Sequence, residues 1–253
     1  MEYSELPSTK ISGSGRVTLP GYGLLKISGS GRVSEDSIDT SGSSVIPGGL
    51  VLQRLKTSGS TRIEGDIKAD TIKFSGSAHV EGNLECEEVI KSGSITVDGG
   101  LKARYVRSSG STRVSKGGHI GHELESSGST AFGGDLVSDD RILYSGVLRV
   151  DGSLQAKSFE ARLSHDESII RDGITADFIN IQRSYNDWIG KGSLYTADIT
   201  GDEITLENVE CDNVTGKKIT IMGGCRIKGK ITYGDEIKVD PSSRLENTPE
   251  KTE

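Results

Sequence analysis

The tripeptide Ser-Gly-Ser recurs through the first half of the chain at nearly constant intervals. Successive glycines of this tripeptide are 16, 13, 17, 17, 17, 17 and 18 residues apart, and Tyr144-Ser145-Gly146 adds one more step of 18. This period is too short for a pair of helices and too long for one strand, but it suits one turn of a coil of strands stacked on the turn before it. The repeat therefore predicts an all-β protein, a parallel β-solenoid with 16–18 residues per turn. The glycines that define the steps are Gly13, Gly29, Gly42, Gly59, Gly76, Gly93, Gly110, Gly128 and Gly146.

Within each turn apolar and polar residues alternate with a period of two, which is typical of strands with one buried face. Three inward positions recur from turn to turn, which predicts three short strands per turn. Glycines between them suit corners, because a residue without a Cβ adopts positive φ readily. The inward positions are Ile63, Val80 and Val97, then Ile67, Leu84 and Leu101, then Ile72, Val89 and Val106, and the corner glycines are Gly65, Gly82 and Gly99.

The repeat also predicts where the coil begins and ends. Residues 1–9 form a short polar segment, residues 10–239 form the coil, and residues 240–253 contain two prolines and few apolar side chains, so we expect a disordered tail. An irregular stretch near 182–193 interrupts the repeat and contains Tyr185 and the single tryptophan, Trp188. We expect this stretch to leave the coil as a loop that could bind a partner.

Composition and charge bear on several classes of function. The net charge is −7, and no basic stripe is visible in the linear sequence, which argues against a nucleic-acid binder. No export signal and no run of about 18 apolar residues is recognisable, so we expect a cytoplasmic protein. Three scattered cysteines do not suggest a disulfide framework, which fits a reducing compartment.

Motifs that could suggest catalysis fall into positions of the repeat. Cys86 and Cys211 lie where other turns have small residues, and acidic neighbours raise a thiol's pKa, so we expect buried, inert cysteines. The stretch His119–His122 spells a nucleotide-binding signature, but it overlays ordinary turn residues and is too sparse for a zinc site. Neither a complete dinucleotide fingerprint nor a P-loop is present. The sequence therefore predicts no catalytic residue, no cofactor and no metal.

Glu64, Glu81 and Asp98 form a recurring acidic position two residues after a column that contains Arg62 and His79. Stacked carboxylates could bind calcium or belong to a carbohydrate-binding or carbohydrate-cleaving coil. Residues at i and i+2 of a strand share one face, however, so a solvated face of ion pairs is the simpler interpretation.

The ends of the coil are then the most informative regions. No amphipathic cap is recognisable at either end, and exposed strand edges with apolar residues favour pairing with another copy. Such assembly needs no nucleotide and is driven by burial of surface. The predicted polymerisation interface comprises Ile11 and Val17 at one end and Ile219, Ile221, Ile227, Ile231, Ile237 and Val239 at the other.

The pattern Ser-Gly-Ser-x-Arg-Ile/Val-Glu-Gly-Asp-Ile/Leu-x-Ala is clearest from Thr57 to Val106 and returns from Gly224 to Ile231. It resembles the bactofilins, bacterial polymer-forming cytoskeletal proteins. The resemblance implies a right-handed β-helix that polymerises end to end without nucleotide. It also implies a scaffold at the membrane that supports cell shape, wall synthesis, polar structures or motility. The coil is longer than the usual bactofilin core and lacks the short apolar segment with which many members bind membrane.

Two further interpretations remain open from the sequence. A carbohydrate-acting β-helix would use the acidic column. An adaptor that has lost polymerisation, or that joins a second bactofilin-like subunit, would keep the coil without forming its own filaments. Membrane contact is expected to be peripheral or indirect, and cell-envelope or motility proteins are possible partners.

Overall fold

The computed structural model describes residues 2–164, 166–184 and 192–252. These residues form strands and turns with no helix among them. The chain divides into two compact units, Met1–Gly121 and His122–Glu253. Each unit is a β-solenoid whose strands pair mostly in parallel, which confirms the predicted fold class.

The first unit contains seven complete strands and the start of an eighth. β1 and β2 pair antiparallel, as do β2 and β3, whereas β3 to β7 pair in parallel with partners 17 residues apart. The strands are β1 (Thr9–Leu19), β2 (Gly23–Ser34), β3 (Ser37–Pro47), β4 (Leu50–Glu64), β5 (Ile67–Val80), β6 (Leu84–Val97), β7 (Leu101–Val114) and β8 (Gly118–Phe132).

In the second unit most turns contain a longer and a shorter strand, and the parallel partners are 15 to 26 residues apart. The two longest steps, from Glu167 to Ser193 and from Ile174 to Ile199, both include residues 185–191, which lie outside the described part of the chain. The strands are β9 (Leu136–Ser138), β10 (Arg141–Val150), β11 (Ser153–Leu163), β12 (Glu167–Ile170), β13 (Gly173–Arg183), β14 (Ser193–Thr196), β15 (Asp198–Leu206), β16 (Val209–Cys211), β17 (Asn213–Ile221), β18 (Arg226–Ile227), β19 (Ile231–Val239), β20 (Arg244–Leu245) and β21 (Glu250–Lys251).

The predicted inward positions form the core. Ile63 pairs directly with Val80 and Val80 with Val97, and all three side chains are at most 1% exposed. The columns that begin at Ile67 and Ile72 are buried in the same way. The strands are longer than predicted, because the backbone ladder continues through the Ser-Gly-Ser corner instead of breaking there.

Glycines at the Ser-Gly-Ser corner are required for two reasons. Gly76 has φ +109°, and a Cβ at this position would lie 2.4 Å from the carbonyl oxygen of Gly59 on the preceding turn. Strain and steric overlap therefore act together. At the other corner, predicted at Gly65, Gly82 and Gly99, only Gly65 has positive φ. Gly82 is needed for a different reason, because a Cβ added there would overlap with Asp66.

The side chains of that second corner hydrogen-bond along the coil. The Asp66 carboxylate accepts from the Asn83 backbone N–H at 2.6 Å and from its side-chain amide at 3.1 Å. The Asn83 side-chain oxygen in turn accepts from the Gly100 N–H at 2.9 Å. These bonds occupy backbone donors that the bend takes out of the strand ladder.

The N-terminal end differs from the prediction of parallel turns from residue 10 onward. The chain reverses between Leu19 and Gly23, where Gly21 and Gly23 both have positive φ, and β2 returns alongside β1. Residues before β1 also pack on the coil: the Ser4 N–H donates to the Val51 carbonyl at 2.8 Å, and Leu6 is 5% exposed.

The C-terminal end also differs, since residues 240–252 are ordered by the coil instead of forming a disordered tail. β20 pairs with β18 and β21 pairs with β19, both in parallel. The Asn247 amide donates to the carbonyls of Lys228 and Gly229 at 3.2 and 3.1 Å. Backbone pairing needs no apolar side chain, so a polar segment with two prolines still continues the coil.

Lys91 is an unusual core residue. It occupies the position held by Thr57 and Ser108 in other turns and is 4% exposed. Its ammonium donates to the carbonyl oxygens of Gly93, at 3.0 Å, and Ser111. Burial lowers the pKa of Lys91 to about 8, because the charged form loses its hydration.

We predict that three Gly→Ala variants separate strain from overlap. Gly121→Ala, with no atom nearer than 3.7 Å and no positive φ, should change the free energy of unfolding little. Gly13→Ala has φ +88° but open space, so strain alone should cost about 1–2 kcal/mol. Gly76→Ala should cost clearly more than Gly13→Ala. Chemical denaturation measures all three, and equal losses for Gly13→Ala and Gly76→Ala would contradict the proposed overlap.

We predict a pH-dependent stability from Lys91. Its folded pKa lies below the unfolded value, so the folded state binds fewer protons between about pH 8 and pH 10.5. Over that window the free energy of unfolding of the wild type should rise relative to Lys91→Thr, by about 1–3 kcal/mol in total. Lys73→Thr, which removes an exposed ammonium from a neighbouring turn, is the matched control. If the free energy of unfolding changes with pH in the same way for the wild type and Lys91→Thr, a lowered pKa of Lys91 in the folded state is refuted.

Candidate interaction surfaces

The C-terminal end of the second unit exposes apolar side chains beside an incompletely paired strand. Val239 is 41% exposed, and Ile237 is half-buried. β21 pairs with Thr232 and Tyr233, and in the described part of the chain no strand pairs with the outer edge of β19 beyond them. This edge therefore offers both backbone hydrogen-bonding groups and apolar surface.

Four residues of the predicted interface lie deeper. They are at most 1% exposed inside the last turns, so they can shape the end of the coil but cannot themselves form a contact surface. These residues are Ile219, Ile221, Ile227 and Ile231.

At the N-terminal end β1 is the outer strand. It pairs with β2, and no other pairing of β1 is present among the described residues. Val17 is 8% exposed and Ile11 is half-buried, so β1 presents less apolar surface than the C-terminal edge does. The structure thus places the residues predicted for the interface at both ends, and their participation in assembly stays a prediction.

Tyr185 and Trp188 of the predicted partner loop lie outside the described residues. The strand that leads to it, β13, ends beside a buried carboxylate. The Glu207 side chain accepts from the Arg183 backbone N–H at 2.9 Å and from its guanidinium at 3.1 Å.

The acidic column is compensated by its neighbours, as the sequence predicted. The Arg62 guanidinium pairs with Glu81 on the next turn, and His79 contacts Asp98 at 2.8 Å. Among the described residues, no group of three or more His, Cys, Asp or Glu side chains is arranged to hold a metal ion. Exposed pairs of this kind contribute little stability, and the Arg62 guanidinium compensates the charge of Glu81.

The cysteines and histidines lie where the repeat placed them. Cys86, Cys211 and Cys225 are buried and free. Burial is the main cause that raises the pKa of each thiol, to about 12 for Cys211, so the reactive thiolate is disfavoured. His119 and His122 lie on strand β8, not at the start of a helix.

The first unit carries a basic edge that is not recognisable in the linear sequence. Strand pairing stacks two positions of the repeat into columns. One column holds the residue three positions before each Ser-Gly-Ser glycine, and the other holds the residue three positions after it. On strand β2, which runs in the opposite direction, the two positions are exchanged. In the first unit these two columns hold nine exposed Lys and Arg side chains and a single acid, Asp39. The nine are Lys10, Arg32, Lys56, Lys73 and Arg107 on one side and Arg16, Lys26, Arg62 and Arg113 on the other.

We name this surface the basic edge, meaning the Ser-Gly-Ser ridge of strands β1 to β7 with its two flanking columns. A groove of about 870 Å³ follows one side of the ridge, and a groove of about 780 Å³ follows the other. The sequence signal for this surface is the constant spacing of Lys and Arg from the glycines. These residues form a continuous basic surface only when the strand register places them side by side.

We predict that the three native cysteines resist alkylation in the folded protein at pH 8, because each thiol is buried with a raised pKa. Iodoacetamide labelling followed by mass spectrometry measures this, with labelling under denaturing conditions as the reference. Ser75→Cys, on the exposed ridge, should react readily as a positive control. Rapid labelling of a native cysteine without unfolding would point to an accessible thiol.

Comparison with known proteins finds a distant relative. The chain is 35% identical over 95 residues to the uncharacterized protein YhbF of Bacillus subtilis (strain 168), a match that covers 37% of this chain and 40% of YhbF. The match thus spans less than half of that relative's length. No protein-family model matches the chain, and no solved structure matches it significantly. The described residues offer no helix long and apolar enough to span a membrane. The chain is thus a β-solenoid protein with distant similarity to YhbF.

Proposed function

We propose that this protein is a non-enzymatic scaffold of the bactofilin type, which polymerises through the ends of its coil without nucleotide and organises a process at the cell envelope. The observation that carries the proposal is the C-terminal edge. There Val239 is 41% exposed and Ile237 half-buried on a strand whose outer edge is incompletely paired.

The chemistry of this edge favours a second copy of the chain as its partner. An added strand would satisfy backbone N–H and C=O groups and cover apolar side chains in one step. Association would then depend on burial of apolar surface and on strand pairing, and neither needs nucleotide hydrolysis. Because every copy carries the same two ends, pairing at both of them would extend into a filament.

The Ser-Gly-Ser repeat and its resemblance to bactofilins support the same proposal. They suggest work inside the cell, at the inner face of the membrane, in cell shape, wall synthesis, polar structure or motility. A second bactofilin-like subunit could take the place of an identical copy. The carbohydrate-acting alternative has less support, since Glu81 and Asp98 of its acidic column are engaged with Arg62 and His79.

We predict that Val239→Lys abolishes filaments while the coil stays folded, because a charge would replace the apolar contact at the C-terminal edge. Negative-stain electron microscopy and sedimentation without nucleotide measure assembly, and circular dichroism measures folding. Phe178→Lys is the matched control: among the described residues Phe178 is the other large exposed apolar side chain, at 38%, and it lies within β13, which is paired on both sides.

Filaments of the wild type and Phe178→Lys, but not of Val239→Lys, would support assembly through the C-terminal edge. Filaments of all three proteins would exclude that edge. Short, uniform particles from the wild type at every concentration would favour the adaptor alternative and contradict the proposal.

A further inference from the structure

We propose that the basic edge of the first unit docks on a bilayer surface rich in anionic lipids. This inference deepens the envelope part of the proposed function, and it does not depend on filament assembly.

Most cations of the basic edge have no carboxylate partner within the described part of the chain. Asp39, the single acid in the two columns, pairs with Arg54 at 3.1 Å. Arg62 pairs with Glu81. Seven cations of the edge have no carboxylate among the described residues within 4.0 Å of their charged nitrogens; these are Lys10, Arg16, Lys26, Arg32, Lys56, Lys73 and Arg113.

Other cations of the same coil are paired. Lys68 contacts Glu85 at 2.9 Å in the first unit, and in the second unit Arg141 contacts Glu160 at 2.7 Å. The units also differ in balance: the first carries 15 Lys and Arg against 13 Asp and Glu, the second 15 against 24. An acidic protein therefore concentrates uncompensated positive charge on one edge of one unit.

This arrangement opposes the stability of the coil. Lys10 lies directly opposite Arg32, Arg16 opposite Lys26, and Lys56 opposite Lys73, whereas Asp39 lies between Arg32 and Lys56. Like charges at directly paired positions of a sheet destabilise it. A partner that carries many negative charges would relieve this repulsion along the whole edge.

The shape of the edge favours a membrane over a nucleic acid. Its cations lie in two columns on strands β1, β2, β4, β5 and β7, and the seven strands from β1 to β7 span roughly 30 Å at about 4.8 Å per strand. The solvent-facing residues between the columns are Ser and Gly, such as Ser58, Gly59 and Ser60, and provide no aromatic ring on which a base could stack. A plane of anionic headgroups satisfies both columns at once, and the two grooves admit headgroups beside the ridge.

Because the ridge carries no apolar side chain, the contact would be electrostatic, without insertion into the hydrocarbon. It would therefore weaken steeply with salt. In a filament the edge of every subunit would contribute to the same contact, so a weak contact per subunit would become stable attachment.

The test is flotation of the full chain with vesicles of phosphatidylcholine alone or mixed with phosphatidylglycerol, at low and high salt. We expect binding to the anionic vesicles alone, lost at high salt. The triple variant K10Q/R16Q/K26Q should weaken partitioning on the order of a hundredfold. The control K102Q/R104Q/K116Q removes the same number of exposed cations from the same unit and should bind like the wild type.

The exchanged variant K10R/R16K/K26R keeps the charges and should also bind like the wild type, which separates charge from side-chain packing. Equal weakening by the edge and control variants would overturn the proposal, as would binding to phosphatidylcholine alone. Stronger binding to duplex DNA than to anionic vesicles would instead make the edge a nucleic-acid surface. The Val239→Lys variant should still bind vesicles, so failure of assembly and failure of membrane docking are distinguishable.

Discussion

Parallel backbone pairing at a fixed offset is the constraint on which this structure depends. In the first unit a strand from Leu50 onward pairs with residues 17 positions later, so each side chain lies over its counterpart on the next turn. Residues at the same position of successive turns therefore form columns, at the corners, on the inner face and on the outer face. Glycine columns follow directly, because Gly59 and Gly76 approach too closely for a Cβ.

The same stacking turns a local charge pattern into a property of a whole surface. Where a basic and an acidic column are neighbours, Arg62 and Glu81 pair between turns. In the basic columns that flank the Ser-Gly-Ser ridge, Lys56 lies over Lys73, and Asp39 is the single acid. A coil with net charge −7 can therefore present a basic edge, and net charge is a poor guide to the surfaces of a repeat protein.

A coil also has ends, and the two ends of this chain differ. At the N-terminal end the chain folds back as an antiparallel meander, and at the C-terminal end polar residues extend the parallel ladder to β21. The apolar surface that remains, at Ile237 and Val239, is small. The proposed scaffold thus combines a narrow contact at the C-terminal edge with a long electrostatic surface on the first unit, and the two surfaces use different residues.

The sequence by itself determined the solenoid and its core, because a 17-residue repeat with inward residues such as Ile63 and Val80 leaves few alternatives for burying apolar side chains. It could not determine strand direction at the N-terminal end. Ser-Gly-Ser reads the same in both directions, as does a cation three residues to either side, so Gly13 and Gly29 align equally well in an antiparallel pair. Nor could it reveal the basic edge or the ordered C-terminal residues. Both depend on which strands are neighbours and in which register they pair. Long-range hydrogen bonds in the tertiary structure decide this pairing, and the local properties of the residues do not.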